Sequence, residues 1–431
     1  MSVLADYLKR RTPSFVISIP IQTDAKNWIE SQLLSSPYCL TTVGGISYQT
    51  TVSNGWEKQV HISVKYVEVV QSGIVFGVKD VFELITAVSI SLKCHLPKTV
   101  IVIDNRSGFV PENGVADKIN TCKEYVGEEL EIHQYNSSKS SWKSFFKNRI
   151  IIYTLETYYF DSAKDINDLS CILAEQAKRI RSNCGNNPKA IVDSIMKWFR
   201  QNIEYKNNNQ TADHSAVGLY KNKTAVCQGI AAYAYQLLTF CGLEARYVSG
   251  QGDGTGGWGA HGWNMVKLNG IWHHVDYTFE LNSLRLSAIK KEREFKKDHR
   301  WDENRYNNRR SDELSNARKT LNSSVIILLP GENCISVNGC LMDTTATHKI
   351  CVISNGLIYV SFLDVVTVYG GCYALKDNSI CIYLGVNSYT IPFDKATYSN
   401  GAWYINVLWL QNLNIRIKTD NNAVVLQSDN S

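Results

Sequence analysis

The chain has 431 residues, of which 20% are charged and 44% hydrophobic, and a net charge of +5. That composition excludes a disordered or membrane-embedded protein, and the length calls for two or three domains. The charge is too small to imply nucleic acid. Its main concentration, Lys290–Arg310 with nine basic against five acidic residues, alternates in sign as a solvated helix face does.

The first residues, MSVLADYLKRRTPSFVISIP, lack the apolar run and cleavage site of a secretory leader. The expectation is a cytoplasmic protein, with the cell surface or secretion as the alternative if the start is truncated. The longest apolar stretch, around Val81–Leu92, contains Glu83 and is too short to cross a bilayer. Residues 1–160 show a helix-then-strands pattern twice. Asp24–Leu34 is followed by HISVKYVEVV, and Lys79–Ser91 by KTVIVID and RIIIYTLETYYF, as in a duplicated α+β unit.

From Asp161 the periodicity turns helical. Ile166, Leu169, Ile172, Leu173, Ala177 and Ile180 mark one face ending near Gly185. Pro188 suits a first helical position with Asn186 or Asn187 as cap, and Ile191, Val192, Ile195, Trp198, Phe199 and Ile203 mark the next face. Cys227 then opens an apolar helix through Ile230, Ala231, Ala234, Leu237 and Leu238 that Gly242 closes. A thiol at a helix N-terminus is biased towards thiolate, which makes Cys227 a candidate nucleophile. Next comes the strand EARYVSG, then a glycine-rich segment, Gly250–Ala260. That segment lacks G-x-x-x-x-G-K-[ST], so it reads as a mobile rim with Trp258 lining a cleft rather than a phosphate loop.

Asn269-Gly270 predicts a two-residue hairpin between HGWNMVKL and IWHHVDYT. Leu268 then pairs with Ile271, Trp263 lies opposite Asp276 and His261 opposite Thr278. That register makes His261 and Asp276 diagonal neighbours roughly 7–8 Å apart between backbones. Nucleophile, base and orienting carboxylate are the parts of thiol acyl-transfer chemistry. His274, opposite Met265, shares the parity of Asp276 and is expected on the same face.

These residues resemble the transglutaminase-like superfamily in its compact bacterial form. Val226-Cys227-Gln228-Gly229-Ile230-Ala231 stands for V-C-x-G-x-A, His261-Gly262-Trp263-Asn264 for H-A-W-N, and Trp272-His273-His274-Val275-Asp276-Tyr277-Thr278 for W-x-x-V-D-x-T. The glycine at 262, where alanine is usual, is a departure that leaves the functional groups in place. Asp298-His299-Arg300-Trp301 is similar to a D-H-x-W that bacterial relatives often carry, which puts the end of the core near 320.

The resemblance implies an α+β protein with a papain-like core, the Cys helix packed on an antiparallel sheet. It gives Cys227 as nucleophile, His261 as general base and acid, and Asp276 as the orienting group. Oxyanion or cleft candidates are Gln228, Tyr220, Tyr205, Trp258 and Trp263. The expected division is an N-terminal accessory region at 1–160, the transglutaminase-like domain at 161–320 and a β-rich domain at 325–431. In the last, Asn355-Gly356 recurs as Asn400-Gly401 and Asp377-Asn378 as Asp420-Asn421. With ISVNGCLM it resembles the copper amine oxidase N-terminal-like domain of bacterial surface proteins, which suggests attachment to a cell-envelope polymer.

No metal or cofactor is expected. The twelve cysteines show no zinc spacing, and His348 is a lone histidine in its region. Cys39, Cys94, Cys122 and Cys171 read as reduced core thiols, whereas Cys334, Cys340, Cys351, Cys372 and Cys381 could pair only in an oxidising compartment. The expected partner is a peptide or protein substrate, attacked at an amide by Cys227. Hydrolysis by a peptidase or amidase is the first reading and protein-glutamine transamidation the second. A non-catalytic peptide- or glycan-binding module is the rival from another class.

Overall fold

The computed structural model describes residues 3–35, 37–67, 74–111, 114–126, 135–281, 287–330, 334–343, 349–420 and 423–428. The protein is α+β. Its amino-terminal part begins with a sheet in the order Ser14–Pro20, Glu57–Tyr66, Val43–Val52, covered by the helices Val3–Lys9 and Ala25–Leu34. Asp24 caps the second helix by accepting the Asn27 N–H. The buried faces of Phe15, Ile17, Ile19, Val60, Ile62 and Val64 alternate along their strands against Ile29 and Leu33.

The second helix-then-strand unit is built differently. Val75–Val78 and Lys98–Asp104 run parallel, joined by the helix Val81–Lys93, and Ile150–Tyr159 pairs antiparallel beyond them. In the first unit the strands flanking the helix, Ser14–Pro20 and Val43–Val52, are not neighbours, because Glu57–Tyr66 lies between them and is antiparallel to both. The order of elements repeats between the two units but their strand pairing differs. Residues 68–70 of the first copy lie outside the described residues. The apolar stretch at Val81 is a core helix, buried along most of its length and capped by Asp80. No described helix is long and apolar enough to cross a membrane.

The largest sheet takes strands from both ends of the chain. Its order is Ile415–Asp420, Ala423–Ser428, Val325–Leu328, Cys334–Val337, Cys340–Asp343, Val75–Val78, Lys98–Asp104, Ile150–Tyr159, Tyr135–Phe145. The two ends meet at Met342 opposite Phe76, both buried in one core with Leu84 and Val88. A shared ladder and a shared core thus join strands from before residue 160 and after residue 325.

Two smaller sheets complete the C-terminal part, and the repeated dipeptides close their hairpins. Asn355-Gly356, Asn400-Gly401 and Asp377-Asn378 all have positive φ, as type I′ turns require, between Ser354 and Leu357, Ser399 and Ala402, and Lys376 and Ser379. His348 and Asn421 lie outside the described residues. All twelve cysteines are free, including the five C-terminal ones.

Between these parts lies the helical core. Ala163–Cys184 is capped by Ser162 and followed by Gly185 at φ 59°, and Pro188–Asn202 starts with proline behind the cap Asn187. Their apolar faces close on the helix Cys227–Phe240, which packs on a sheet ordered Ile271–Val275, Gly257–Leu268, Ala245–Gly254, His299–Arg300. The first helix also docks on the C-terminal strands. Asn167 exchanges two hydrogen bonds with the Tyr373 backbone, and the Tyr383 hydroxyl donates to Glu175.

Candidate active site

The helix Cys227–Phe240 starts where it does because a loop holds the preceding residue. The buried Asp213 carboxylate accepts from the Asn208 backbone and side chain and from the Gln210 N–H, closing residues 208–213 into a tight turn. The Asp213 carbonyl then accepts the Val226 N–H at 3.0 Å. Val226 is extended (φ −92°, ψ 177°), and Cys227 is the first helical residue. The loop passes so close to the first turn that a Cβ at Gly229 would lie 2.8 Å from the Asp213 carbonyl oxygen. That is the physical reason for glycine two residues after the cysteine. Cys227 is half-buried at the positive end of the helix dipole, beside N–H groups that have no intrahelical acceptor.

The hairpin has the predicted register. Leu268 pairs with Ile271, Met265 with His274 and Asn264 with Val275, across Asn269 and Gly270 with φ 50° and 82°. Asn264, wholly buried, donates to the Ala231 carbonyl at 3.0 Å and so ties the strand to the cysteine helix. The ladder ends at Val275, however, and the expected pairing of Trp263 with Asp276 and His261 with Thr278 does not form. The partner of His261 is Gly250 on the other neighbouring strand. Asp276 instead caps the short helix Tyr277–Glu280, its Oδ1 accepting from Thr278 N–H (2.8 Å) and Phe279 N–H (3.2 Å). This turn swings the other oxygen back, and Oδ2 stands 2.9 Å from His261 Nε2.

His261 Nε2 is committed to Asp276, and the ring also hydrogen-bonds the Cys227 thiol, which accepts the Gly262 N–H as well. Burial opposes charge on each of the three groups. For Cys227 the hydrogen bond and positive charge of His261 outweigh burial and lower the thiol below its ordinary value. For His261 the desolvation cost is outweighed by Asp276 and Cys227, which raise it to about 9. Asp276, buried, is held well below the usual carboxylate range by hydrogen bonds from two histidines, His261 and His299. The arrangement favours a thiolate beside an imidazolium.

Residues 174–277 match the family model of the transglutaminase-like superfamily. The chain carries a transglutaminase-like domain. Among solved structures it is similar to a candidate cysteine protease from Cytophaga hutchinsonii, at 16% identity over 36% of this chain and 68% of that one, with a TM-score of 0.23. It is also similar to a TGase, at 17% identity over 46% of this chain and 56% of that one, with a TM-score of 0.25. No curated protein sequence matches.

Around the three groups, the transglutaminase-like domain places the other predicted residues unequally. Gln228 stands next to Cys227, its Oε1 3.0 Å from His214 Nδ1. Tyr205 is half-exposed and near enough to feel the charges of Cys227 and Asp276; burial first, and then those charges, raise its hydroxyl. Trp258 is at the surface with the Arg300 guanidinium 3.9 Å from its ring. One expectation is corrected. Trp263 is buried, and its indole N–H is donated to His274 Nδ1 at 2.8 Å, so it supports the His261 ring from beneath instead of lining a cleft. Tyr220 has the Lys223 ammonium 4.2 Å from its ring.

The glycine-rich segment is also corrected. It is mostly ladder, with Gly250 opposite His261 and Gly254 opposite Gly257. A Cβ at Gly250 would strike the Trp263 ring and one at Gly252 would press on His261, so these glycines form the floor on which both rings lie. Gly262 has a similar cause: a Cβ there would meet the Tyr247 hydroxyl, which fills the space an alanine would need.

His274 lies opposite Met265 as predicted but is buried among Trp263, Phe295 and Trp301, away from the thiol. Burial lowers it to about 3, so it is a neutral acceptor for the Trp263 indole. His274→Ala should therefore act on stability, with a loss of about 2–4 kcal/mol from the cavity and the orphaned N–H. The unfolded chain binds the proton that the folded one refuses. Wild-type stability should accordingly fall as pH drops below about 6.5, and less so in the variant, as thermal midpoints against pH will show.

The charged segment Lys290–Arg310 is not a solvated helix face. It crosses the site and buries Lys290, Phe295, His299 and Tyr306. His299 is the residue that sequence reasoning missed, although Asp298-His299-Arg300-Trp301 marked it. Its Nε2 lies 2.9 Å from the same Asp276 oxygen that His261 uses. His261, Asp276 and His299 are the described group with metal-ligand spacing, all ligand atoms lying within 4.8 Å of one another. Both His–Asp contacts are of hydrogen-bond length, so protons account for the cluster.

Proposed function

We propose that the protein is a thiol hydrolase that cleaves amide bonds of a peptide or protein through a thioester at Cys227. What supports this reading is the His261 ring, hydrogen-bonded to both Cys227 and Asp276. The thiolate attacks the carbonyl carbon. The Cys227 backbone N–H, at the helix start, stabilises the oxyanion together with a side-chain donor from among Gln228, Tyr220 and Tyr205. The His261 imidazolium gives its proton to the leaving amine as the C–N bond breaks. Neutral His261 then takes a proton from water as it attacks the thioester, which releases the acid and restores the thiol pair. Asp276 holds the ring in the orientation both transfers need.

The test is to incubate the full chain with reduced, carboxymethylated casein, quench with acid and measure the intact mass. A transient adduct on Cys227 that hydroxylamine removes and Cys227→Ser lacks is expected, together with new peptide termini. Incorporation of monodansylcadaverine into the casein would instead assign transamidation. Neither adduct nor cleavage would contradict an acyl-transfer enzyme for protein substrates.

A further inference from the structure

We infer that His299 is a positioning residue of this site: a second, buried imidazolium clamped between Asp276 and Asp298 that fixes the carboxylate orienting His261. The inference rests on the thiol reading above and adds a fourth side chain to it.

After Asp276 the chain returns as the strand His299–Arg300, with His299 opposite Gly252 at the sheet edge. The His299 ring is buried and stacked on Phe295, with centroids 3.8 Å apart, and Phe279 lies on it at 4.6 Å. Its Nε2 is 2.9 Å from Asp276 Oδ2 and its Nδ1 is 2.5 Å from Asp298 Oδ1. Ionised carboxylate oxygens only accept, so both ring nitrogens donate, and a ring with two N–H groups is charged. Asp298 is anchored in turn by Lys290, whose ammonium lies 3.4 Å from Asp298 and 3.2 Å from Glu280.

Asp276 therefore receives four donors: two backbone N–H groups on Oδ1 and two imidazole N–H groups on Oδ2. Packing alone would not call for this. An aromatic ring would fill the space between Phe279 and Phe295 without the cost of burying a charge. The charged and titratable groups facing His299 are Asp276 and Asp298, His261 and His274 from the hairpin, and Lys290 across the phenylalanine rings.

Removing His299 has two consequences with one direction. The Asp276 carboxylate loses one of the four donors that fix its orientation, which loosens His261. A positive charge that favours the thiolate also disappears. Both move formation of the reactive thiolate to higher pH.

The experiment follows iodoacetamide alkylation of Cys227 by mass spectrometry from pH 5 to 9 in the full chain, alongside thermal midpoints. His299→Phe should lower the rate at pH 7 by about tenfold, the scale on which outer partners of a functional histidine act, and shift the rising limb to higher pH. His299→Gln, whose amide can still donate to Asp276, should recover most of the rate. Asp298→Asn should shift the limb the same way by less. His261→Ala is the control: an unchanged profile there would sink the thiol reading itself. If His261→Ala collapses the rate while His299→Phe lowers the midpoint but leaves the profile on that of the wild type, only the role of His299 is overturned. If His299→Phe does not fold, Asp298→Asn carries the test, and a profile coincident with wild type overturns it.

Discussion

Asp276→Asn should reduce turnover by about four orders of magnitude, the loss seen when an orienting carboxylate is neutralised in a related triad. Asp276 has two oxygens with separate duties, and the substitution splits them. An asparagine carbonyl can still accept the Thr278 and Phe279 N–H groups, so the helix Tyr277–Glu280 keeps its cap. The amide nitrogen then takes the place of Oδ2 and confronts two imidazole N–H donors. His261 must turn or change tautomer, and the His299 ring loses one of its two acceptors. Each buried donor left unpaired costs about 1–3 kcal/mol, so the unfolding midpoint should fall as well. A residue that only capped the helix would lose little of either. The discriminating result is loss of Cys227 alkylation at pH 7 in protein that still folds.

His261→Ala should have the second-largest effect. Without the imidazolium, burial is left as the main influence on Cys227 and drives the thiol up, where at present it is held down. Alkylation at pH 7 should fall roughly 100-fold, and the rising limb should move above the ordinary thiol range. Stability gives an independent reading. His261 is raised to about 9, so its pairing stabilises the fold fully below its ordinary value near 6.5 and is lost as pH rises through about 9. Asp276 is depressed, so its contribution is present above about 4 and is lost as pH falls. Thermal midpoints measured from pH 6 to 10 should decline through pH 9 in the wild type and more weakly in the variant.

The parts of this site that were legible in the sequence are those set by local rules. Helical spacing after Cys227 and the glycine at 242 marked the helix, and Asn269-Gly270 set the register from Leu268 to Asn264. The register failed beyond Val275 because Asp276 is also a good N-cap, and capping ended the strand there. His299 was visible as a motif but not as a partner, since its position depends on a crossing segment whose alternating charges looked solvated. The pairing of Val75–Val78 with Cys340–Asp343 left no local trace either. A ladder between strands from opposite ends of a chain is fixed by tertiary packing, which neither strand encodes alone. The glycines at 250 and 252 suggested mobility because glycine marks loops more often than floors beneath buried rings.

The central claim is that His261 activates Cys227, and competition among the protein's own thiols tests it most directly. Cys184 and Cys381 are half-buried like Cys227 but have no histidine bonded to them among the described residues. Limiting iodoacetamide at pH 7, followed by peptide mass spectrometry, ranks all twelve cysteines in one sample. The account predicts that Cys227 is labelled first, by at least about tenfold over Cys184 and Cys381. Labelling of Cys227 at or below their rate would contradict it.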